Sequence, residues 1–196
     1  MLIIKSHTGK ICILIFAIFS LLSCGEVSLQ KKNDSTTKDK DSTEQAERNK
    51  EHNTQIDITY YYRLSNTFLG EGKSLDTYSE SFEPFMGKTG NYSGQKWKLI
   101  PLGDNYFRLT NSFLGEEKSL DTYSDSHKLF MGKTGDYSGQ KWKLIPLDNG
   151  FYRLTNSFLG NRKSLDTYSD SHEPFMGETG NYSGQKWKLI KIESID

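Results

Sequence analysis

From residue 58 onward, apolar and polar residues alternate in short runs separated by glycine-bearing turns. Alternation with a period of two marks half-buried strands, because successive strand side chains point to opposite faces. In the first stretch the runs cover residues 60–65, 74–78, 84–87 and 95–102. In the first run the alternation turns Tyr62 and Leu64 inward and Arg63 outward. In the second it buries Leu75 and Thr77 and sends Ser74, Asp76 and Tyr78 to solvent together. In the fourth it places Gln95, Trp97 and Leu99 on the buried face and Lys96, Lys98 and Ile100 on the other. Gly70, Gly87, Gly90 and Gly94 fall between the runs, where glycine supplies turn conformations at little steric cost.

The pattern is written three times. Gln95–Lys96–Trp97 recurs at Gln140 and Gln185, 45 residues apart each time, and "KSLDTYS" and "SGQKWKLI" recur unchanged. A fixed period of this size is one supersecondary unit used repeatedly. The units tile residues 58–102, 103–147 and 148–192. Four strands per unit also describe a propeller blade, but a propeller takes four to eight blades. No terminal unit is a polar capping variant, as a solenoid would need. Three units close instead into an all-β β-trefoil, a barrel with a hairpin cap and pseudo-threefold symmetry. The tall aromatic fraction, 13%, suits strands. Trp97, Trp142 and Trp187 are expected to form the structural core, as large aromatics at strand-internal positions do.

Charge and cysteine content narrow the function. Formal net charge is zero, which gives nucleic-acid binding no electrostatic footprint. The two cysteines, Cys12 and Cys24, both precede the repeats, so the repeats hold no disulfide and no cysteine metal site. No metal-ligand spacing, phosphate loop or nucleophile elbow occurs, so neither a metal nor a cofactor is implied. His127 and His172 share a repeat position with Phe82, which argues against a common catalytic role. The reading is therefore of a protein that binds and is not an enzyme.

The repeat "YRLTNSFLG…KSLD…F…G…SGQKWKL" resembles the ricin B-type lectin repeat, the QxW β-trefoil. The resemblance covers all three copies and none of the preceding chain. It implies a domain over 58–196 with up to three sugar sites. Each would combine an Asp after Leu, an aromatic ring and an amide near Gln-x-Trp. A pyranose packs its apolar C–H face on a ring and needs fixed acceptors and donors for its hydroxyls. Asp76, Asp121 and Asp166 match the first element, and Phe85, Phe130 and Phe175 the second. In the family the residue before the Gln is often Asn; here it is Gly94, Gly139 or Gly184. Asn91, Asp136 and Asn181 in the preceding loop offer a replacement, each followed by a tyrosine. Alternation further sets Tyr78, Tyr123 and Tyr168 beside the aspartates.

The first 57 residues read differently. Lys5 and Lys10 precede a short apolar stretch over 11–22 that ends in Leu21–Leu22–Ser23–Cys24. This resembles a bacterial lipoprotein signal peptide over 1–23, cut before Cys24, which would carry the lipid. A partner would then be the membrane, reached through that anchor. Gly25 after the cysteine resembles lipoproteins sent to the outer membrane where a cell has two. Residues 24–57 are charged and nearly free of apolar side chains, the composition of a flexible linker. Such a linker spans roughly 30 Å. These features together point to a glycan- or polysaccharide-binding module of the bacterial cell envelope. The alternative is a non-catalytic trefoil that binds an envelope protein, favoured by the missing Asn before each Gln.

Overall fold

In a computed structural model, the structure describes residues 56–195. The signal peptide, Cys24 and all but the last two residues of the linker lie outside the described residues.

Twelve strands follow the predicted runs closely. The first repeat holds β1 (Tyr60–Asn66), β2 (Lys73–Thr77), β3 (Pro84–Lys88) and β4 (Trp97–Gly103). The second holds β5 (Tyr106–Asn111), β6 (Lys118–Thr122), β7 (Leu129–Lys133) and β8 (Trp142–Pro146). The third holds β9 (Phe151–Asn156), β10 (Lys163–Thr167), β11 (Pro174–Glu178) and β12 (Trp187–Ser194). The first and fourth strands of every repeat close into a six-stranded barrel in the order β1-β12-β9-β8-β5-β4. The middle strands pair as three separate hairpins, β2-β3, β6-β7 and β10-β11. This is the β-trefoil. The closed barrel leaves its own strands no free edge.

One difference from the predicted strands matters for the site. Gln95 is not in β4: Ser93–Gln95 form a one-turn 3-10 helix, as do Ser138–Gln140 and Ser183–Gln185. Gln95 and Trp97 are both buried, but the turn, not strand alternation, brings the amide inward.

The core sits where barrel meets hairpins. Leu64, Leu109 and Leu154 fill the barrel, and Leu75, Leu120 and Leu165 fill the cap; all are fully buried. Trp97, Trp142 and Trp187 lie between these layers with no exposed surface. Each indole Nε1 donates to the carbonyl of a cap leucine, Leu75, Leu120 or Leu165, at 2.8 Å. The indole thus fills apolar space and removes an orphan carbonyl in one placement.

The repeats are also stitched to one another. Asn111 Nδ2 donates to Thr77 Oγ1 at 2.8 Å, Asn156 to Thr122 at 2.8 Å, and Asn66 to Thr167 at 3.1 Å. The last bond joins the first repeat to the third, so the three junctions form a ring. At the uncapped end of the barrel, Ile56 packs against the core and Asp57 binds Lys191 at 2.9 Å. Both residues, assigned by sequence to the linker, are docked on the domain.

Candidate functional site

The β2-β3 hairpin, with the 3-10 turn beside it, frames a cleft. In the first repeat the cleft measures about 460 Å³, within the range of small-ligand sites. Its walls come from Asp76, Tyr78, Phe85, Lys88 and Tyr92, with Phe113 from the following repeat.

The aspartates are at its base, not on an outward face. Asp76, Asp121 and Asp166 are 8%, 8% and 9% exposed, and Ser74 is buried outright. Alternation sends these residues away from the barrel core, as expected, but the 3-10 turn folds over that side and covers it. Oδ1 of each aspartate accepts from the next backbone amide, Thr77, Thr122 or Thr167, at 2.7–2.8 Å. Oδ2 accepts from the amide of Gln95, Gln140 or Gln185 at 2.9–3.0 Å. The same Nε2 donates to the carbonyl of Lys88, Lys133 or Glu178, and Oε1 accepts from the amide of Gly90, Gly135 or Gly180. The Gln of the Gln-x-Trp motif is thus a buried clamp between hairpin and loop, and its hydrogen bonds hold the carboxylate in place.

The glycine before the Gln has a steric cause. A Cβ at Gly94 would meet Asp76 Oδ1 at 2.1 Å, and Gly139 and Gly184 are alike. Any side chain there, including asparagine, would displace the carboxylate. Gly90 has a similar reason: a Cβ would lie 2.4 Å from the Tyr92 ring.

The aromatic element is rearranged as well. Phe85 lies directly across the hairpin from Asp76, and Phe130 and Phe175 across from Asp121 and Asp166. Tyr78, Tyr123 and Tyr168 stack flat on these rings, with centroids 3.8, 4.1 and 3.8 Å apart. The tyrosine is therefore the outer ring, 42–50% exposed, and the phenylalanine is its support. Asn91, Asp136 and Asn181 are exposed but do not share one role. Asn91 is outside the lining of the first cleft, where Tyr92 stands instead. Asp136 is drawn to Lys141 at 2.7 Å, which holds its carboxyl below the usual range.

Two contributors were not predicted from sequence. Tyr92, Tyr137 and Tyr182 are more exposed than any other large apolar side chain described, at 57–58%. Phe113 brings a ring from the next repeat. Its counterparts Phe68 and Phe158 are equally exposed, and Phe82 and His172 reach toward Phe113 and Phe68 at 6.5 and 6.2 Å. Phe82, His127 and His172 hold these positions at φ of 57–59°, a left-handed conformation that bulky residues adopt at a cost. The available signal was a ring at the same offset in every "RLxNxFLG" segment, on a turn between two strands.

No protein-family model and no curated protein matches the chain. Solved structures do. The designed threefold-symmetric protein ThreeFoil is 26% identical, with a TM-score of 0.60 over 67% of this chain and 99% of its own. A GlcNAcα1-4Gal-releasing endo-β-galactosidase from Clostridium perfringens is 24% identical, with a TM-score of 0.59 over 68% of this chain and 33% of its own. SeviL, solved bound to asialo-GM1 saccharide, is 19% identical, with a TM-score of 0.55 over 69% of this chain and 99% of its own. These likenesses establish the β-trefoil fold.

Proposed function

We propose that the domain is a non-catalytic, ricin B-type carbohydrate-binding module with three clefts, held at a bacterial membrane by a lipid on Cys24. One observation carries the carbohydrate reading. In the first cleft three exposed rings, Tyr78, Tyr92 and Phe113, stand around a carboxylate already fixed in place. Rings accept the C–H face of a pyranose, and fixed polar groups orient its hydroxyls. Exposed aromatic side chains contribute nothing to the core, so their recurrence in each repeat calls for a ligand. Two neighbours in fold, the endo-β-galactosidase and SeviL, carry carbohydrate in their names, which supports the reading.

Asp76 binds through what is left of its acceptor capacity. Each oxygen takes one protein hydrogen bond and a carboxylate has about four lone-pair sites, so the cleft side can receive a hydroxyl. Single clefts of this openness bind weakly; three on a rigid body gain avidity on a polymer. A glycan array followed by a polysaccharide pull-down tests the reading. Retention that falls stepwise as Tyr78, Tyr123 and Tyr168 are changed to Ala supports it. No retention at high protein concentration, or stoichiometric recovery of one envelope protein instead, overturns it. The anchor is tested separately: Cys24→Ala should release the protein from membranes or block its processing.

A further inference from the structure

The three repeats differ at one register position beside the clefts. At the root of each hairpin two residues face each other: Lys73 and Lys88, Lys118 and Lys133, Lys163 and Glu178. Opposite charges at such positions are favourable and like charges unfavourable. The third repeat has the favourable form, with Lys163 Nζ 2.8 Å from the Glu178 carboxylate. The first two have the unfavourable one. Among the described residues, none of Lys73, Lys88, Lys118 and Lys133 lies within ion-pair distance of a carboxylate. The third repeat demonstrates that the fold accepts the ion pair, so the trefoil itself does not require the lysine pairs.

The first cleft is completed by Phe113 of the following repeat, and if the other hairpins are completed alike these charges add unevenly. Lys88 lines the first cleft. Lys118, from the second repeat, stands outside the lining, with Nζ 5.8 Å from the centroid of the Phe82 ring, which lies 6.5 Å from the cleft-lining Phe113. The nearby carboxylates differ in their partners. Glu116 is bonded to Lys98 at 2.6 Å; Asp76 keeps its charge at the base, bonded only to neutral amides, and Glu83 stands across the hairpin from Tyr78, so the cationic part of the cleft is the rim at Lys88. The third cleft has Glu178 where the first has Lys88. The second keeps Lys133, but the lysine corresponding to Lys118 is Lys163, already neutralised by Glu178.

We propose that the first cleft takes an anionic saccharide, a sugar bearing a carboxylate or sulfate. Its ring packs on Tyr78, Tyr92 and Phe113, and its charge lies at the rim by Lys88, with Lys118 beyond Phe82 adding to the local field. The preference is weaker in the second and third clefts, each of which loses one free lysine to the Lys163–Glu178 pair. This rests on the carbohydrate reading above and names the class of ligand within it.

The test is a glycan array carrying galactose- and N-acetylgalactosamine-terminated glycans, each in neutral, sulfated and sialylated form. The readout is the ratio of acidic to neutral retention, measured between about 50 and 300 mM salt, where screening changes most for exposed charges. Wild type should favour an acidic form, and the ratio should fall with salt. Whether the sulfated or the sialylated form is preferred tells the two anions apart. Lys118→Glu places a carboxylate opposite Lys133, the third repeat's pair with its ends exchanged, and should lower the ratio about three- to fivefold. Glu178→Lys should raise it. Should Lys118→Glu fail to fold, the wild-type salt series and Glu178→Lys still decide. A wild-type ratio near one, or a ratio unmoved by both variants, overturns the inference and leaves the carbohydrate reading standing. Retention of no glycan of either charge overturns both.

Discussion

Below each cleft lies a buried layer of Leu, Asp, Gln and Trp; above it lies a rim of exposed side chains. In the buried layer the three repeats use the same residues and the same contacts. The Gln-to-Asp bonds measure 2.9, 3.0 and 2.9 Å, and the three indole bonds are all 2.8 Å. At the rim the repeats diverge: Phe82 against His127 and His172, Lys88 and Lys133 against Glu178, Asn91 and Asn181 against Asp136. The difference follows from solvent. A buried polar group that loses its partner bears the full desolvation cost, so no member of the layer can change alone. A rim group always has water as a substitute partner. Within the site, the copies therefore differ at the rim and not in this buried layer.

The largest break in this comparison is Trp97→Ala. It removes a fully buried indole and leaves the Leu75 carbonyl without its donor, and should cost about 3–5 kcal/mol in denaturant melts. Wild-type stability would mean the cap is held by something else. Asp76→Asn comes next. The new amide would set a donor against Gln95 Nε2, and about 1–3 kcal/mol should be lost. Loss of stability without a change in the remaining two clefts' binding would keep the carboxylate in the buried layer. Tyr92→Ala belongs to the rim and should leave the melting point nearly unchanged, within about 0.5 kcal/mol. Glycan retention should fall, and a variant that binds as wild type would remove this ring from the site.

The smallest effect sits at the uncapped end, outside both regions. Thr59 and Lys191 hold the Asp57 carboxyl down from its ordinary 3.8 to about 2. A carboxyl depressed in the folded state adds stability above its unfolded value, and this is lost as pH falls through the folded one. Wild type should lose melting temperature between about pH 4 and 2. Asp57→Asn should flatten that part of the curve and lower the melting temperature slightly at higher pH, where the ion pair is otherwise intact.

Much of this architecture was legible in the sequence, for reasons visible at single residues. Leu64, Leu75 and Trp97 announced themselves because burial of apolar side chains follows strand alternation, a local property. The burial of Asp76 did not. Its cover is Gln95, 19 residues on, delivered by a 3-10 turn that alternation does not describe, and its space is the missing Cβ of Gly94. Tyr78 was expected as a ring beside the aspartate, but not its stacking on Phe85, which depends on cross-strand register. Phe113 was out of reach for a different reason: it belongs to another repeat, and a site shared across a junction leaves no contiguous motif.

The pairing of the first and last strands has a consequence for how the module is presented. Tyr60 faces Ser194 and Ile195 N donates to Thr59 O, so β1 starts where β12 finishes. At its other end β1 brings Asn66 opposite Trp187, under the hairpins. Seven strand residues separate the two levels by roughly 20 Å. Residue 56 thus enters at the pole of the barrel opposite the cap. A pull on the preceding chain would be borne by that pole and by the closing seam between β1 and β12, while the hairpins point away from where that chain enters.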